Sequence, residues 1–211
     1  MAMIDTLQMI ELLHTPIELP PFERIITPDD VGGSAAWQML VHDGALNPLY
    51  GEAALPVGVA DTAELRAQAA FFAAPVAAQG PDFNIALSGR SAAWVWAGGQ
   101  APSIMEYTVP HGRRQRVELG VQYRTSPFDA SHVLEISGLW VTNLERTVRD
   151  LALWYEADIA MPLIMDLVAL GADIVEAGLM LERPLRLIRR PTARDILQAA
   201  ALAAARTSVT R

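Results

Sequence analysis

Apolar residues at Ile4, Leu7, Ile10 and Leu13 fall at helical spacing, and the proline-rich TPIELPPF that follows cannot continue a helix, so residues 4–13 are predicted as a short helix with a linker behind it. Thr27 before Pro28, with Asp30 three residues on, has the pattern of an N-cap, a first-turn proline and a capping box. A second start at Ser34 opens SAAWQMLVHD, which stops at Gly44. The apolar runs ALNPLY and EAALPV flank Gly51 and predict a small hairpin. Helix, turn, helix, hairpin is the order of a winged helix-turn-helix. Asp61 or Thr62 then caps TAELRAQAAFFAA, whose Leu65, Ala69 and Phe72 share a face, and PVAAQGPD ends it as a loop.

From residue 84 the period changes. NIALS, SIMEYTVP, RVELGVQYR, HVLEI and LWVT are short apolar strands broken by turns, with one helix, SAAWVWA, between the first two. Thr142 with Glu145 has the spacing of a capping box for NLERTVRDLALWY, and further helical stretches follow near 158–170, 173–182 and 192–206. The pattern predicts an α+β protein: an N-terminal degenerate winged helix-turn-helix over 1–78, then a domain over 79–211 with a mixed β-sheet and a helical C-terminal third.

Composition narrows the chemistry. The 211 residues include no cysteine, which removes disulfides, thiolate metal sites and a cysteine nucleophile. All sixteen basic residues are arginine, so a Schiff-base lysine and a phosphate-loop lysine are also removed. The stretch Met1–His14 carries Asp5 and Glu11 and has no basic leader before an apolar run, so a cytoplasmic protein without a membrane partner is expected. The net charge of -8 sits wholly in residues 1–90, which hold three arginines against eleven acids. A field of that sign repels polyanions and attracts basic surfaces.

The segment Gly89-Arg90-Ser91-Ala92-Ala93 approaches the hydrolase elbow but lacks its last glycine. Its only base and orienting acid would be His132 and Asp129, three residues apart. Ser91 is therefore read as a helix N-cap and no catalytic residue is assigned. His14, His42, His111 and His132 are scattered, and Asp150, Asp158 and Asp166 span a helix break, so no metal site is assigned. The pairs Gly32-Gly33 and Gly98-Gly99 lack the spacing that wraps pyrophosphate, and no cofactor is expected.

Positive charge gathers at Arg113, Arg114 and Arg116 and again at Arg183, Arg186, Arg189, Arg190 and Arg194. These clusters, with Arg90, are candidates for contact with an acidic protein or nucleic acid. The expected recognition helix, Ser34–Asp43, carries no arginine, and Gln38 and His42 are its only base-reading side chains.

Two stretches carry a family likeness: ALSGRSAAWVWAGG followed by EYTVP and GRR, and GLWVTNLERTVRDLA. They resemble the AbiEi-type antitoxins of bacterial type IV toxin-antitoxin systems over roughly Thr27 to Arg206. The resemblance implies an antitoxin whose partner is a co-encoded, nucleotidyltransferase-like toxin, with the winged helix used on promoter DNA. It marks Ser88, Gly89 and Ser91, and Thr142, Arg146, Thr147 and Asp150, as the motif positions. Arg146 and Asp150, four apart on one helix face, can pair and organise the domain. The alternative expectation is a winged-helix transcriptional regulator with no toxin partner.

Overall fold

A computed structural model of the chain describes residues 24–80, 84–112, 118–183, 187 and 189–209. The helix expected at 4–13 lies outside them. The architecture is α+β: a helix and hairpin, a mixed five-stranded sheet, and a helical C-terminal third.

The Thr27 capping box forms, with the Thr27 amide and hydroxyl donating to Asp30 Oδ2 at 2.8 and 2.9 Å. Those bonds hold the Asp30 carboxyl below the usual carboxylate range. The segment does not grow into the expected helix and remains a single 3₁₀ turn, Pro28–Asp30. Gly32 and Gly33, at φ 90° and 111°, turn the chain away before a second turn can form. Helix α1, Ser34–His42, then starts with Gly33 in place of Ser34 as its cap. Strands β1, Leu46–Tyr50, and β2, Ala53–Pro56, make the expected antiparallel hairpin. Trp37, Leu46 and Ala54 form a small core there, and Trp37 Nε1 donates to the Ile26 carbonyl at 3.3 Å.

Thr62 caps α2, Ala63–Phe72, by accepting from the Leu65 amide. Arg66 of α2 is buried, and its Nε and Nη2 donate to the carbonyls of Val95 and Trp96 at 2.9 and 3.2 Å. A cation thus closes the C-terminus of the next helix, where orphan carbonyls and the negative dipole end favour it. The close approach requires Gly98, since a Cβ there would lie 2.9 Å from Arg66 Nη1.

The sheet has the order β5-β4-β3-β7-β6. It contains β3, Ala86–Leu87; β4, Met105–Val109; β5, Val121–Thr125; β6, Val133–Ile136; and β7, Leu139–Thr142. Strands β3 and β7 pair in parallel, as do β4 and β5, while β3/β4 and β6/β7 are antiparallel. Strand β4 is buried on both faces, yet its alternation is chemical. Met105, Tyr107 and Val109 join the main apolar core with the hairpin and α2, while Glu106 and Thr108 face the other way.

Helix α3, Gly89–Ala97, follows β3, and α4, Leu144–Trp154, follows β7. Helices α5, Ala157–Ala169, α6, Ile174–Glu182, and α7, Arg190–Val209, complete the chain. Their core gathers Leu151, Ile164, Leu167, Leu181 and Leu197 and reaches the sheet domain through Ala93 of α3. Among the described residues, no helix is long and apolar enough to cross a membrane.

Candidate functional site

Leu87 of β3 is the register partner of Val141 of β7, so the ends of these parallel strands lie side by side. Each strand feeds directly into a helix, α3 after Ser88 and α4 after Asn143, and Trp96 Nε1 ties them by donating to the Thr142 carbonyl at 2.8 Å. The two stretches that carry the family likeness therefore form one structural joint.

In the first stretch, Ser88 is the α3 cap position and its amide donates to the Glu106 carbonyl at 2.9 Å. Ser91 is not the N-cap expected from the sequence. It lies inside the first turn of α3, fully buried, and its Oγ accepts from the Glu106 amide at 2.9 Å. A serine hydroxyl here binds strand to helix because the turn brings it against the edge of β4. Ser91 makes no hydrogen bond to Asp129 or His132, which pair within their own 3₁₀ turn, Ala130–His132.

Glu106 lies at the centre of this joint and has no signature in local spacing. Its Oε2 accepts from the Arg90 amide at 2.9 Å, where the α3 dipole favours an anion. Its Oε1 accepts from Arg124 Nη2 at 3.1 Å and from the Tyr155 hydroxyl. Burial, followed by the bond to Glu106, pushes the Tyr155 hydroxyl above the ordinary phenol range. The Arg124 guanidinium lies 4.8 and 5.5 Å from the Trp154 and Tyr155 rings. Gly89 is required because its φ is 55° and a Cβ would collide with Glu106 Oε2. All these contacts hold the joint together.

In the second stretch, Thr142 ends β7 and does not cap α4 as its spacing with Glu145 predicted. Asn143 is the cap, accepting from the Arg146 amide at 2.9 Å, because β7 continues through Thr142. The Thr142 and Thr147 hydroxyls bond to each other at 2.7 Å, buried. Arg146 and Asp150 pair as their spacing predicted, through Nε at 3.0 and 2.9 Å from the two carboxylate oxygens. The pair is buried, and Arg146 further donates to the Pro127 carbonyl and Ser126 Oγ, both at 2.9 Å. Arg149, which the sequence reading passed over, adds a second cation on Asp150 Oδ1 at 2.5 Å and reaches Ser126 Oγ at 3.2 Å.

Arg146 and Arg149 line a cavity of about 340 Å³, with Phe128, His132, Met180 and Arg183 among its walls. His132 Nδ1 accepts from the Asp129 amide at 3.2 Å, which leaves the ring proton on Nε2. Burial, and then the Arg146 charge, hold His132 below the ordinary imidazole range, so the ring is neutral near pH 7.

Of the candidate contact arginines, Arg90 is exposed at the start of α3. Arg183 pairs with Glu176 at 2.9 Å, Arg189 with Glu156 at 2.6 Å and Arg190 with Glu182 at 4.0 Å. Arg194 also meets Glu182, at 2.5 Å. The pairs of Arg183, Arg189 and Arg194 face solvent and are weak enough to exchange for other anions, whereas the Arg190 side chain is largely covered. Arg113, Arg114, Arg116 and Arg186 lie outside the described residues.

No family profile matches the chain, and no curated protein matches it. Among solved structures it is similar to the RV2827C protein from Mycobacterium tuberculosis, at 17% identity over 83% of this chain and 72% of that one, with a TM-score of 0.41.

Proposed function

We propose that this protein is an antitoxin-like factor of the AbiEi type that counteracts a co-encoded, nucleotidyltransferase-like toxin. The observation that supports it most is the joint at the ends of β3 and β7. Residues Ser88 to Ser91 and Thr142 to Asp150, far apart in the chain, pack as one unit there, and they are the residues on which the resemblance rests. Their polar groups bond chiefly to one another and to nearby main chain, so the motif acts by holding a surface in shape.

The alternative, a regulator without a toxin partner, draws on the order of helix and hairpin at residues 34–56. The solvent-facing side of α1 offers Gln38 and His42 but no arginine to meet phosphate, which favours the toxin-directed reading. Coexpression with the adjacent reading frame tests it. Growth arrested by that frame alone is expected to recover when this chain is made with it, and arrest that persists with both proteins present ends the proposal.

A further inference from the structure

The cavity lined by Pro127, Phe128, His132, Arg146, Arg149 and Met180 has features that the joint does not account for. Arg149 is only 2% exposed and lines the cavity, yet all its hydrogen bonds among the described residues leave from Nη1. Its Nε and Nη2 have no protein partner there. These two N–H groups lie parallel along one edge of the guanidinium plane, the edge that grips both oxygens of a carboxylate or phosphate.

The local charge is also incomplete. Arg146 binds both oxygens of Asp150 and so neutralises it, which leaves the group Arg146, Arg149 and Asp150 with one buried positive charge in excess. A buried charge without a counter-charge is costly, and a single negative charge at the free edge of Arg149 would remove that cost. A second negative charge finds less support, since Arg183 at the rim already pairs with Glu176 and Asp129 stands beside it. Phe128, Pro127 and Met180 supply apolar wall. A volume of about 340 Å³ lies at the small end of ligand sites, roughly 300 to 1,000 Å³.

We propose that this cavity binds a small monocarboxylate with an apolar body, the carboxylate side-on to Arg149 Nε and Nη2 and the body against Phe128 and Met180. His132 Nε2 is the further donor at the site. The proposal is independent of the toxin-directed reading, because it concerns the chain by itself.

Calorimetric titration of the full chain with sodium benzoate at constant ionic strength tests it, with benzamide and inorganic phosphate as parallel arms. Benzoate is expected to bind with one molecule per chain, and benzamide and phosphate about tenfold more weakly or not at all. Arg149→Lys keeps the charge but loses the paired edge, and is expected to weaken benzoate by about tenfold. Met180→Glu leaves the buried guanidinium–carboxylate bonds unaltered, places a carboxylate in the cavity wall and is expected to abolish benzoate binding even if the lysine variant fails to fold. No benzoate binding, equal binding of benzamide, preference for phosphate, or benzoate binding that survives Met180→Glu would each overturn the assignment.

Discussion

Tyr107 sits fully buried in the middle of β4, and its hydroxyl has no hydrogen-bond partner among the described residues. The ring earns its place in the core, packed 6.0 Å from the Tyr123 ring, while burial pushes the phenol well above its ordinary range. A buried polar group left unpaired costs roughly 1 to 3 kcal/mol, so Tyr107→Phe is expected to raise stability by about 1 kcal/mol. A urea midpoint that is unchanged or lower in the variant would mean that the hydroxyl has a partner after all. At this scale the sequence was partly legible. The Ser-Gly-x-Ser turn announced itself, but its reason, the Glu106 carboxylate under Gly89, lies in another strand and leaves no trace in local spacing.

Helix α4 shows what periodicity can and cannot reveal about an element. Arg146 and Asp150, one turn apart, were readable as a pair, and Arg149, three residues after Arg146, shares their side of the helix. It escaped the pairing rule because it is the immediate chain neighbour of Asp150, and adjacent residues are not expected to meet side chain to side chain. The Asn143 cap was missed for a similar reason, because a strand that runs through Thr142 shifts the helix start by one residue. Asp150 is therefore the acceptor for two buried guanidinium groups. Asp150→Ala leaves both without it, and breaking a buried pair typically costs about 3 to 5 kcal/mol. Glu182→Ala, which removes the acceptor of the exposed Arg194, is expected to cost about 1 kcal/mol or less. Chemical denaturation of the two variants checks the ordering, and equal losses would contradict the central role given to Asp150.

Across the whole molecule, stability is expected to follow the distribution of core. Strand β2 is a shared wall: Ala53 and Leu55 belong to the main core, and Ala54 to the small one beneath α1. The order of helix, hairpin, sheet and helices was legible because each boundary carries a change of period or a turn residue. The sharing of cores was not, since alternation along a strand names its two faces without saying what covers them. Among the described residues, the buried members of that cover on the α1 side are Trp37, Leu46 and Ala54. Helix α3, by contrast, contributes Ala92, Trp94 and Val95 to the sheet core and Ala93 to the helical core, so it cannot open without disturbing both. Local opening draws on regions with few buried apolar contacts. Native-state hydrogen exchange is therefore expected to find α1 amides released by a partial opening, well below the free energy needed to expose those of α3, which should exchange only with global unfolding. If α1 and α3 exchange with the same free energy and the same denaturant dependence, the small core is not a separable unit and the hairpin transmits the full stability of the sheet to the first helix.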